Sequence, residues 1–199
     1  MSALCTLGNC AKISTVSKIL WDMQTMDVLS SYTKCPLQQV YIPAMMLMGL
    51  LSVDSNENFI SLDNELILLL VATITIATSD TEMAAEVGYI KMTAAELLGG
   101  TNGLALNGRN AISLFENGVL SPLIEALLNG DDGTRQSAVD LLWTLAMENT
   151  VREQLCVTPE VLHALDTLTS YMPESQPLTL AAKCALLQIK GWNQLEGIA

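Results

Sequence analysis

The chain has 199 residues, half of them apolar and only 5% aromatic, enough to bury one continuous core. Its 21 acidic residues outnumber nine basic ones and are scattered along the whole length, giving a net charge of −12. That balance repels phosphate backbones and anionic bilayers, and the basic residues lie singly, so nucleic acid and lipid headgroups are excluded and basic or hydrophobic protein partners are expected.

The apolar stretches favour Leu, Ala and Met, residues with good helix propensity, which predicts an all-α chain. The first predicted helix covers residues 2–11, where Ala3, Leu7 and Cys10 share one helical face. The same stripe of alanine, apolar at +4 and apolar at +7 returns at Ala44, Met48 and Leu51 and at Ala94, Leu98 and Thr101. It appears again at Ala138, Leu142 and Leu145 and at Ala182, Leu186 and Ile189. The alanines stand 41, 50, 44 and 44 residues apart, a period that belongs to stacked helical units, with an insertion in the longest interval. Between stripes come a polar break, a short helix and a second helix, as at 149–156 and 159–169, so each unit is expected to hold three helices.

Within the second unit, residues 66–78 (LILLLVATITIAT) are too short for a bilayer core of about 20 apolar residues and predict a helix buried on all sides. The run Gly99, Gly100, Thr101, Asn102, Gly103 predicts a helix stop, and no GxxxxGK[ST] accompanies it. Asn129, Gly130, Asp131, Asp132 and Gly133 predict a tight interhelical loop. Pro36, Pro122, Pro159 and Pro177 mark first turns, where a missing N–H does no harm.

Candidates for chemistry are few. Cys5, Cys10, Cys35, Cys156 and Cys184 form an odd set without a CxxC pair, and no signal-peptide pattern opens the chain. Both features predict reduced thiols and a cytoplasmic location, or a nuclear one. A single histidine, His163, removes every site that needs two imidazoles, and its surroundings VLHALDTL read as an amphipathic helix. No metal, cofactor or catalytic set is expected, and the chain is not read as an enzyme. The cluster Met45, Met46 and Met48 reads as core filling, with an adaptable binding surface as the alternative.

Residues 117–155, NGVLSPLIEALLNGDDGTRQSAVDLLWTLAMENTVREQL, resemble an armadillo repeat. Gly118 stands before a Leu-rich second helix carrying Leu120, Leu123, Leu127 and Leu128; an acidic, Gly-containing turn follows, then a third helix with Ala138, Leu142 and Leu145. The resemblance implies a right-handed α-solenoid of about four three-helix repeats at 12–52, 53–106, 107–148 and 149–191, all one domain over 1–191. One lone helix precedes them and a tail follows at 192–199.

It also implies a concave groove lined by successive third helices, in which a protein or peptide segment lies. The groove candidates are the +2 and +6 positions from each alanine, chiefly Asn9, Met46, Glu96, Asp140, Thr144 and Gln188, with Glu96, Asp140 and Glu148 positioned to attract a basic partner. Members that hold basic import signals carry Trp at +2 and Asn at +6. Here only Asn9 conforms, so an importin-like role is not implied. The expected function is a protein-interaction scaffold. The alternative is an internal segment of a larger repeat scaffold that self-associates through its uncapped helix at 2–11.

Overall fold

A computed structural model describes residues 3–53, 61–171 and 176–191. Among them the helices are α1 (Ala3–Ala11), α2 (Ser14–Asp22), α3 (Thr25–Tyr32), α4 (Gln38–Val53), α5 (Asn64–Ser79), α6 (Ala94–Ala105), α7 (Gly108–Glu116) and α8 (Leu120–Asn129). α9 (Asp132–Leu145), α10 (Asn149–Cys156), α11 (Pro159–Tyr171) and α12 (Pro177–Lys190) complete the series. The chain is thus helical in class, with one exception: an antiparallel hairpin of β1 (Ala84–Val87) and β2 (Ile90–Thr93) lies just before α6. The predicted tail at 192–199 falls outside the described residues.

Local chemistry explains the boundaries. Asp63 accepts from the N–H of Leu66 and so starts α5, and Asp131 accepts from that of Thr134 at 2.7 Å and starts α9. At α6, Thr93 and Glu96 form a reciprocal capping box. The hydrogen bonds from the Thr134 backbone and hydroxyl, with Arg135 nearby, hold the Asp131 carboxyl below its ordinary range. Pro159 and Pro177 are the first residues of α11 and α12, and Pro122 lies in the first turn of α8. Gly118, after α7, has φ +86°, a left-handed conformation that glycine alone adopts without strain.

The five stripe helices lie side by side: α1 packs on α4, α4 on α6, α6 on α9 and α9 on α12. A second row runs from α5 to α8 to α11. Ala44, Ala94, Ala138 and Ala182 are all fully buried between these rows, as close helix packing requires of a small side chain. Thr101, at the odd position of the third stripe, is buried too, and its hydroxyl donates to the Leu97 carbonyl at 2.7 Å, so the polar atom has its partner. Neighbouring stripe helices are also tied: Thr144 Oγ1 donates to Asn102 Oδ1 at 2.6 Å, and Gln188 Nε2 donates to the Ala146 carbonyl at 3.4 Å. Each tie runs from position +6 of one stripe to position +8 of the stripe before it.

Three expectations are corrected. The glycine run does not stop a helix, because Gly99 to Gly103 lie inside α6. A Cβ on Gly103 would overlap the Gly49 carbonyl, and one on Gly100 would overlap Met46, so these glycines let the backbones of α4 and α6 touch. The apolar helix α5 is not buried on all sides: Ile67, Leu70, Val71, Ile74 and Ala77 face the core, but Leu68, Ala72 and Ile76 form an exposed strip. The chain is not wholly α-helical: a hairpin turning at Gly88 (φ +64°) and Tyr89 lies before α6, and its residues supply the insertion expected in the interval between Ala44 and Ala94. Among the described residues no single helix is long and apolar enough to cross a bilayer.

Candidate binding groove

A cavity of about 750 Å³ opens along the side-by-side row of stripe helices. Pro43, Met46, Leu47 and Leu50 of α4 line it, with α1 on one flank (Leu4, Cys5, Gly8, Asn9) and α6 on the other (Ala95, Glu96, Gly99). Gly133 and Ser137 of α9 lie beyond α6, and the hairpin contributes Tyr89, Ile90, Lys91 and Met92. The size suits a short peptide stretch or a drug-sized group, and the lining is mostly apolar with a few polar groups.

Local sequence sets this shape. Thr93 serves both as the last residue of β2 and as the N-cap of α6, so the hairpin is fixed rigidly to the helix that carries Glu96 and Gly99. Pro43, interior to α4, cannot donate a backbone hydrogen bond there and tends to bend the helix. Lys12 Nζ lies 3.8 Å from Glu96 Oε1, joining the end of α1 to α6 at the cavity. Both side chains are well exposed, so the pair contributes at most about 1 kcal/mol and a charged ligand can replace either member. Lys91 pairs with Glu82 at the hairpin, and that carboxylate holds the lysine ammonium above its ordinary range.

Of the six groove candidates, Asn9, Met46 and Glu96 converge on this cavity. The other three do not line it. Thr144 is buried and spends its hydroxyl on Asn102, and Gln188 is half-buried against Ala146. Asp140 is half-buried and accepts from Gln136 Nε2 at 2.8 Å. Glu148 packs beside Gly108 at the start of α7, where its carboxylate faces the positive end of that helix. Residue spacing missed Gly8, Gly99 and the hairpin. The segment AAEVGYIKMT, with β-branched residues around a Gly-Tyr turn, carried the hairpin signal.

Burial pushes the Asp140 carboxyl above its ordinary range, and the Gln136 hydrogen bond only partly opposes this. The fold favours the neutral acid, so the contribution to stability is fully present below the unfolded value near 3.8 and is lost as pH rises through the raised native value. Asp140→Asn is therefore expected to raise the melting temperature at pH 7 and to leave it nearly unchanged at pH 3. Parallel melting curves across that range would refute the burial argument.

His163 is exposed on α11 and lines neither this cavity nor a second one of about 540 Å³ between α3 and α5. Among the described residues no cluster of three or more His, Cys, Asp or Glu is placed to hold a metal ion. Comparison with protein-family models gives no match to this chain, and no curated protein matches it.

Proposed function

We propose that the chain is an armadillo-like right-handed solenoid that acts as a non-catalytic scaffold and binds a segment of another protein in the cavity along α1, α4 and α6. The observation that carries this reading is a pair of glycines. Gly8 and Gly99 lie in the interiors of α1 and α6, where glycine costs roughly 0.5–1 kcal/mol relative to alanine. A Cβ on Gly8 would meet nothing within 4 Å, and one on Gly99 would meet only Ser137 Oγ at 4.0 Å. Packing within the chain thus gives no reason for either, in contrast to Gly100 and Gly103. Both line the cavity, where a missing side chain lets the main chain of a ligand come close.

The ligand chemistry follows from the lining. Met46, Leu47 and Leu50 suit apolar side chains, with methionine able to repack around different shapes. Glu96 suits one basic side chain that displaces Lys12, in keeping with a chain of net charge −12.

Selection of a random peptide library on the intact chain tests this. Enriched peptides should be apolar with a basic residue, and Gly99→Trp and Gly8→Trp should each weaken their binding by about tenfold or more, roughly 1.4 kcal/mol, with little change in the melting curve. Peptides that bind both variants as well as the parent would refute the groove assignment.

A further inference from the structure

We infer that the segment received by the groove lies extended, as a third strand added to the outer edge of β2, with its main chain hydrogen-bonded to that of Lys91. The inference rests on the groove reading above and adds what the partner must present there: an extended stretch of chain and not a helix.

The phase of the hairpin decides which main-chain groups face outward. Ala94 N–H donates to the Met83 carbonyl at 2.7 Å, next to the end pair of the ladder, Ala84 with Thr93. Bonded and non-bonded pairs alternate in an antiparallel ladder, so Ala85 with Met92 and Val87 with Ile90 exchange hydrogen bonds, while Glu86 with Lys91 and Ala84 with Thr93 do not. The N–H and C=O groups of Lys91 and Thr93 therefore point away from β1. Thr93 N–H is taken by the Glu96 carboxylate at 3.0 Å, and Thr93, as N-cap, gives its carbonyl to the first turn of α6. Among the described residues the sheet has two strands, so Lys91 is the residue of β2 that keeps both groups for an incoming chain.

That edge borders the cavity. Four consecutive residues, Tyr89 to Met92, line it, and no residue of β1 does. Side chains alternate between the two faces of a sheet, so a cavity on one face would meet every second residue, and a consecutive run means that it follows the edge. β1 is turned the other way, onto α5 and α4. Edge strands are commonly blunted by a lysine, but Lys91 sends its ammonium back across the hairpin to Glu82 and leaves the edge bare. Gly8 on α1 and Gly99 on α6, in the other walls, give a main chain room to approach. A stretch short enough for this cavity is too short to hold a helix on its own, whereas an extended one recovers backbone hydrogen bonds from the sheet edge.

Amide hydrogen exchange of the intact chain, saturated with the tightest peptide from the library selection, tests this. The Lys91 amide should exchange more slowly by about tenfold or more, and that of Glu86, which faces the other edge, should not change. The bound peptide, labelled with carbon-13, should show β-strand shifts. Lys91→Pro removes the donor without cutting a β1–β2 hydrogen bond, and it should weaken the peptide about tenfold more than Lys91→Ala, which loses the same side chain and keeps the N–H. A peptide that moves the Met46 and Met92 methyl signals but carries helical shifts, or leaves the Lys91 amide exchanging as before, overturns strand addition and leaves the groove reading standing. A selection that yields no peptide moving those methyls overturns both.

Discussion

Gly103→Ala is expected to destabilise the chain and Gly99→Ala to stabilise it, although both replace a glycine in the same helix. In an open helix the exchange to alanine gains up to about 1 kcal/mol, because glycine has more backbone freedom to lose on folding. Gly99 is such a place, since its Cβ would enter the empty cavity. Gly103 is not, because its Cβ would overlap the carbonyl of Gly49, a backbone atom that no rotamer change can move aside. The α4 and α6 axes would have to separate, and overpacking of this kind costs about 1–3 kcal/mol, sometimes more. For a chain of this size each kcal/mol moves the melting temperature by about 2–4 °C, so the two variants should melt on opposite sides of the parent. Thermal melts followed by circular dichroism give the answer, and shifts of the same sign would contradict the close approach of α4 and α6.

Ala138→Phe should produce a comparable loss for a different reason. Ala138 has 0% exposure in α9, which packs against α6, α8 and α12 at once. A phenyl ring there displaces both neighbouring stripe helices rather than one, and the penalty of about 1–3 kcal/mol for overpacking applies to a site with no soft boundary. If the units couple chiefly to their nearest neighbours, the damage also uncouples the halves of the stack, and the transition should broaden or split. At an exposed helical position the same change stays within about 0.5 kcal/mol. An unchanged midpoint and slope would rule out the packing of α9 described above.

The alanine stripe made the stacking positions legible in the sequence, because small residues recurring at a long period on one helical face leave a pattern that packing alone explains. Gly118 entered only as the glycine that stands before the Leu-rich helix in the armadillo-like pattern; its left-handed backbone, φ +86°, is visible in the structure alone. The glycines of α6 were not legible, since a run of glycine and polar residues ends most helices, and only the backbone of α4 opposite makes it continue one. The exposed strip of α5 was hidden by composition: LILLLVATITIAT is apolar on every side, so periodicity could not say which side meets the core. Of the +2 and +6 positions, Asn9, Met46 and Glu96 line the cavity, whereas Thr144 and Gln188 occupy the same register and use it to tie neighbouring helices together.

The ten methionines offer probes for the central claim, that the cavity along α1, α4 and α6 receives a protein segment. Methyl NMR of the intact chain labelled at methionine, titrated with a peptide selected on it, reads the site directly. Met46 and Met92, which line the cavity, should shift on binding, whereas Met23 at the N-terminal end and Met147 after α9 should not. Shifts confined to Met23 or Met147, with Met46 and Met92 unmoved at saturation, would contradict it.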